Sequence, residues 1–245
     1  MKTYFLLFTV TLFFLSCEKQ KELTAQDIVD KTIEVSGGDK IKSATMAFDF
    51  RDKHYKATRN NGLFTLERTF TDSLNTIRDV LSNNGFERFI NNEIVKVADS
   101  MIPRYSASVN SVHYFSVLPY GLNDAAVNKK YIEKVNVKGR PYHKIEITFN
   151  QEGGGVDFED VFVYWVNAEN YKTEYLAYSY HENHGIGLRF REAYNERFIS
   201  GIRFVDYKNY KSKDTSVPVS DLDDLFENNK LELLSKIDLK NISVN

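Results

Sequence analysis

The stretch Asp160-Val161-Phe162-Val163-Tyr164-Trp165-Val166 alternates with a period of two, and both of its faces are apolar. Phe162, Tyr164 and Val166 share one face; Val161, Val163 and Trp165 share the other. Such a strand is either covered by a layer on each side, or has one face on a core and the other lining a cavity. The segments around it are extended too. Residues 131–137, 142–149 after a Lys138-Gly139-Arg140-Pro141 turn, 171–180, 186–194 and 197–210 form strands, with Ile145, Ile147 and Phe149 on one face of theirs. Upstream, Ala44, Met46, Phe48 and Phe50 alternate with polar or small partners. Phe64, Leu66, Arg68 and Phe70 follow an Asn60-Asn61-Gly62 turn, and Ser82-Asn83-Asn84-Gly85 separates two more short runs. Strands that arrive in runs with no helix between them exclude a (β/α)₈ barrel and predict a meander of antiparallel hairpins.

Helices interrupt this pattern at three places. Thr24-Ala25-Gln26-Asp27 has the form of an N-cap with an acidic residue three positions on; Ile28, Val29, Thr32 and Ile33 follow at helical spacing, closed by Gly37-Gly38. Asp99 or Ser100 is the expected cap of a second helix. It has Pro103 in its first turn, Met101, Tyr105, Val109, Val112 and Phe115 at steps of three and four, and a stop near Pro119-Tyr120-Gly121. Residues 220–236 also read as helical, from Leu222, Leu225, Phe226, Leu231 and Leu234. The fold class is therefore mainly β with a few helices, an α+β domain.

The N-terminus is of another kind. Lys2 precedes an uncharged apolar run over 4–15, followed by Ser16-Cys17 and the polar Glu18-Lys19-Gln20-Lys21-Glu22. A spanning helix needs about 20 apolar residues, so this shorter run reads as a signal peptide. Phe14-Leu15-Ser16-Cys17 resembles the bacterial lipobox, with Phe14 where Leu is usual, and Cys17 is the one cysteine of the chain. The expected organisation is a signal peptide over 1–16, an acylated Cys17 with a tether to 23, and one β domain over 24–245. Each buried CH₂ of an acyl group contributes about 0.8 kcal/mol, so two or more chains hold a protein firmly on a membrane. The net charge of −2 does not suggest a nucleic-acid binder.

Several clusters hold side chains of the types that do chemistry. His181 and His184, at i and i+3 on a strand, point to opposite faces unless the chain turns at Asn183, and zinc requires further ligands. Asp157, Glu159 and Asp160 follow Gly153-Gly154-Gly155, but not at EF-hand spacing; a solvated hairpin rim is the plainer reading. Arg189, Arg191 and Arg197 flank one hairpin, either to grip a carboxylate or phosphate head or to pair with Asp160 and Glu192 across strands. Nucleophile elbows, phosphate loops and zinc-protease helices are absent from the sequence. No catalytic residue, metal or cofactor is expected. Aromatic residues make up 14% of the chain, and rings such as Tyr175, Tyr178 and Tyr180 carry hydroxyls better suited to the mouth of a pocket than to a dry interior.

The segment from Gly153 through Trp165, with Tyr175-Leu176-Ala177-Tyr178-Ser179-Tyr180, Arg189-Phe190-Arg191-Glu192-Ala193 and Gly201-Ile202-Arg203-Phe204-Val205-Asp206-Tyr207, resembles an uncharacterised family of lipoproteins from Bacteroidota, a domain of unknown function. Gly37-Gly38-Asp39-Lys40 and Leu118-Pro119-Tyr120 fit the same family. More remotely, the order of elements resembles the lipoprotein carriers LolA and LolB and the mycobacterial lipid-binding lipoproteins. That resemblance implies a curved antiparallel half-barrel sheet closed by helices over an apolar cavity. The expected function is then a non-enzymatic, membrane-anchored lipoprotein of the cell envelope, at the outer membrane, holding a lipid or other hydrophobic ligand. The expected lining residues are Phe48, Phe50, Phe64, Leu66, Phe115, Phe162, Tyr164, Trp165, Tyr178, Phe190 and Phe204. An envelope scaffold with a filled core, or a hydrolase built from 157–160 and 181–184, are the alternatives.

Overall fold

A computed structural model describes residues 22–155, 158–182 and 185–245. The signal segment, Cys17, Asp157 and His184 lie outside the described residues. The chain starts with helix α1 (Ala25–Val35), where Thr24 and Asp27 form the expected capping box: the Asp27 amide donates to Thr24 Oγ1 at 3.1 Å, and the Thr24 amide to Asp27 Oδ2 at 2.9 Å. A short helix α2 (Gly38–Ile41) follows. A Cβ on Gly37 would lie 2.2 Å from the Gly201 carbonyl oxygen, so the approach of this corner to the sheet requires glycine.

Six strands then run as a meander: β1 (Thr45–Phe50), β2 (Lys53–Asn60), β3 (Leu63–Asp72), β4 (Asn75–Ser82), β5 (Gly85–Ile90) and β6 (Glu93–Val95). The turn between β2 and β3 holds Asn61 at φ 48° and Gly62 at φ 99°, a pair of left-handed residues whose twist matches that of the flanking strands. Helix α3 (Ile102–Ser116) comes next. It starts later than the sequence suggests: Met101 occupies the cap position without a side-chain hydrogen bond, in place of Asp99 or Ser100.

The second meander comprises β7 (Val127–Val137), β8 (Arg140–Phe149), β9 (Phe162–Asn167), β10 (Thr173–Glu182), β11 (Gly185–Ile199) and β12 (Ile202–Lys211). The expected break near 195–196 is a bulge inside β11, where the register with β12 shifts between Tyr194 and Arg197 and Asn195 takes φ 50°. The true hairpin lies at Ser200-Gly201.

The C-terminus departs most from expectation. Only α4 (Leu222–Glu227) is helical; β13 (Glu232–Ile237) and β14 (Lys240–Val244) follow. Asn229 adopts φ 54°, and the Lys230 amide donates to the Leu225 carbonyl at 2.8 Å, the 6→1 bond that closes a Schellman end. The spacing of Leu231 and Leu234 therefore belongs to a strand entry and not to a longer helix.

The strands form two antiparallel seven-stranded sheets, ordered β14-β1-β2-β3-β4-β5-β6 and β13-β12-β11-β10-β9-β8-β7. The chain leaves the edge of the second sheet in β13 and enters the edge of the first in β14 through Asp238 and Leu239. That join is pinned by the Leu239 amide donating to Asp206 Oδ1 at 2.9 Å, by Arg197 Nη2 donating to the Leu239 carbonyl at 2.7 Å, and by the Tyr194 hydroxyl donating to Asp238. Met46 and Phe48 from one sheet share a core cluster with Ile202 and Phe204 from the other. The result is an open antiparallel half-barrel with helices packed against it. Every residue of β9 is buried, as its two apolar faces require. Its inner face packs Phe162, Tyr164 and Val166 with Ile28 and Val29 of α1, while its outer face packs Val163 and Trp165 under Leu222 and Phe226 of α4.

Candidate ligand cavity

A cavity of about 590 Å³ opens between α3 and the inner face of the second sheet. Val112 and Phe115 of α3 form its roof; Phe162, Tyr178 and Tyr207 form its floor; Ile237 and Leu239, at the join between the sheets, form one wall. The rings touch one another in a chain, one pair tilted, one stacked and one edge to face. Phe115 lies 5.4 Å from Tyr178, Tyr178 5.2 Å from Phe162, and Phe149 5.8 Å from Phe162 edge-on. Such offset and edge contacts favour rings that stay in place while leaving an apolar surface toward the hollow.

Of the residues expected to line a cavity, Phe50, Phe115, Phe162 and Tyr178 do so. Tyr164 lies on the same face but within the packed layer under α1. Burial pushes its hydroxyl well above the usual phenol range, and pushes that of the neighbouring Tyr114 up to about 12. Phe48 and Phe204 fill the core between the two sheets, and Phe64 and Leu66 pack with Val109 under the first half of α3. Trp165 and Phe190 face outward, in the layer covered by α4, with Trp165 Nε1 donating to Asp223 at 2.9 Å. Strand alternation picked out β1 and β9 to β12 but also β3, which does not reach the cavity, and it left out β8 and β13; the choice of face needed the positions of α3 and α4. Phe149, Tyr207 and Ile237 were missed; the first two share a face with residues already singled out, whereas Ile237 was hidden in a segment that read as helix.

The three arginines of the β11 hairpin have different fates. Arg197 pairs with Asp206 at 2.9 Å, not with Asp160 or Glu192. Arg189 stacks over Tyr180 at 4.8 Å and donates to its neighbour's carbonyl, that of Leu188. Arg191 points into the cavity and is 7% exposed. Its guanidinium sits 3.8 Å from the Phe115 ring centre, its Nη2 donates to the Tyr178 hydroxyl at 2.8 Å, and its Nε is buried without a partner.

Glu159, Asp160 and His181 line the same cavity, so these described members of the two polar clusters are neighbours. No group of three or more histidine, cysteine, aspartate or glutamate side chains suited to a metal ion occurs among the described residues. No helix among them is long and apolar enough to cross a membrane.

Comparison with known proteins agrees with this architecture. Residues 2–239 match a family of unknown function, DUF6503, and the chain belongs to it. A LolA superfamily protein from Nitrosomonas europaea has a similar fold, with a TM-score of 0.52 at 11% identity over 91% of this chain and 94% of that one. Weaker likenesses are to a DUF1329 family protein from Desulfovibrio piger (TM-score 0.44, 11% identity, 90% and 92% covered) and a putative outer membrane lipoprotein-sorting protein domain from Vibrio parahaemolyticus (0.42, 9%, 84% and 98%). No curated protein matches the sequence.

Proposed function

We propose that this member of the DUF6503 family holds a lipid or another hydrophobic molecule in the cavity beneath α3, without acting as an enzyme. The observation that carries the reading is the cavity itself: about 590 Å³, walled by aromatic rings in contact and by aliphatic side chains. Small-molecule sites occupy roughly 300–1,000 Å³ and are mostly apolar with few polar groups. An acyl chain of about 14 carbons, at about 0.8 kcal/mol per buried CH₂, offers on the order of 10 kcal/mol before the cost of association, enough for useful affinity. The half-barrel it shares with a LolA superfamily protein supports the fold side of the reading.

The second part of the proposal concerns place. The apolar run over 4–15 followed by Ser16-Cys17 supports export, cleavage before Cys17 and acylation of that cysteine, with the domain tethered to a membrane of the cell envelope, in this reading the outer membrane, through 18–23.

Both parts are testable with the full chain. The protein, purified from the cell membrane and extracted with organic solvent, is expected to release a stoichiometric apolar species seen by mass spectrometry. A clean extract, together with no uptake of added lipid, removes the binding reading. Metabolic labelling with palmitate is expected to mark the wild type and not Cys17→Ser; equal labelling of both removes the anchor.

A further inference from the structure

The geometry points to Arg191 as the seat of an anionic head group, and so to a single-chain carboxylate amphiphile, a fatty acid, as the class of ligand in the cavity. This deepens the binding reading above and rests on it. Arg191 projects from β11 to the inner face, level with Leu176 of β10 and Asn209 of β12. Among the described residues, the other fully buried lysine and arginine side chains are each matched to a carboxylate: Arg68 to Asp79, Lys144 to Asp223, Arg203 to Glu196; Arg59, half-buried, also keeps an unpartnered Nη1 but lies over Tyr120, outside the cavity lining. Arg191 has instead one hydroxyl, from Tyr178, and the faces of Phe115, Tyr178 and Tyr207 at 3.8, 5.1 and 5.9 Å. Rings stabilise a cation but leave its in-plane N–H groups unsatisfied, and the buried Nε is one of these. A guanidinium is a planar fork that fits a carboxylate through two parallel hydrogen bonds. The lining also holds the polar Asn209 and Ser235 beside it and the apolar Phe162, Val205, Ile237 and Leu239, so a ligand that satisfies both the fork and the apolar side chains has an acid at one end and a hydrocarbon chain behind it.

The remaining charges of the cavity fit this polarity. Glu159 and Asp160 lie on the segment before β9, and Asp160 is four residues before Tyr164, which pairs with Leu176, the partner of Arg191. At about 3.3 Å per residue that is about 13 Å along the strands. Arg51 and His181, both exposed, also face the hollow. Charges of both signs thus stand at the exposed part of the lining, where water screens them, whereas Arg191 is the buried cation among the described lining residues, and an anionic head gains most there.

The test is displacement of a fluorescent apolar probe from the purified, delipidated protein by three ligands of one chain length: tetradecanoate, tetradecanol and tetradecyl phosphate. Tetradecanoate is expected to bind at least about tenfold more tightly than the alcohol, the gain of a charge-assisted pair. Arg191→Met is expected to bring the ratio of acid to alcohol affinity close to one; a ratio retained in the folded variant overturns the assignment to Arg191. Equal affinities for acid and alcohol in the wild type overturn the head-group assignment and leave the cavity reading standing. Tighter binding of the phosphate than of the acid overturns the carboxylate assignment. Failure of all three to bind overturns the cavity reading along with it. Should Arg191→Met not fold, the wild-type ratio of acid to alcohol decides alone.

Discussion

His113 packs from α3 edge-on against the stacked rings of Phe48 and Tyr55, with ring centres 5.8 and 5.5 Å away and its Nε2 3.0 Å from the Glu67 carbonyl oxygen. Burial pushes its imidazole down to about 4, against an ordinary value of 6.5. Between those values the unfolded chain binds a proton that the folded one refuses. The stability contributed by this site is therefore complete above about pH 6.5 and is lost as pH falls toward 4, by roughly 3 kcal/mol at full extent. Urea midpoints at pH 7 and 4.5 should diverge less in His113→Gln than in the wild type; an identical loss in both would place the acid sensitivity elsewhere. Trp165, buried on the outer face, is a test of packing alone: Trp165→Ala should cost about 3–5 kcal/mol of stability while the folded fraction binds an apolar probe as before. At this scale the sequence was half legible. Alternation marked the rings of β9 and β10 as important, but with both faces of β9 apolar it contained no sign of which one met a helix and which a hollow.

The placement of α3, and with it the roof of the cavity, depends on one buried carboxylate. Asp79 of β4 is fully buried and accepts from Arg68 Nη2 at 2.6 Å and Arg88 Nε at 2.6 Å, while Arg68 Nη1 donates to Ser108 of α3 at 2.6 Å and Arg88 stacks 3.7 Å over Tyr105. Removing the acid strands two cations in the interior, a loss of about 3–5 kcal/mol. Asp79→Ala should lower the urea midpoint accordingly and raise hydrogen exchange along Ile102–Ser116 before the rest of the chain. Uniform exchange would mean that the helix is held by its apolar contacts instead. The elements themselves were mostly readable from turn chemistry and caps, as at Thr24, Asn61-Gly62 and Lys138-Gly139. The exceptions share a cause: Asn195 and Asn229 both take left-handed conformations, one to make a bulge and the other to end a helix, and a sequence does not distinguish these from an ordinary turn.

At the scale of the molecule, the two meanders become one open half-barrel because β13 and β14 bridge them, and the bridge was the part of the fold that the sequence concealed. Ile242 and Val244 of β14 pack on the shared core, and Thr45 and Asn245 exchange two backbone hydrogen bonds of 2.9 Å. Deleting residues 240–245 should therefore loosen the wall formed by Ile237 and Leu239 and weaken probe binding together with stability; retained affinity in a destabilised protein would show that the wall is set by Asp206 and Arg197 alone. Binding beneath α3 requires that the hollow between α3 and the second sheet take up an apolar molecule. Ser111 lies exposed on α3 at its lining, where a larger side chain can fill the entrance without disturbing the core. Titration of a fluorescent apolar probe should saturate at one molecule per wild-type chain and fail with an equally stable Ser111→Trp variant; equal binding by both, or none by either, contradicts it.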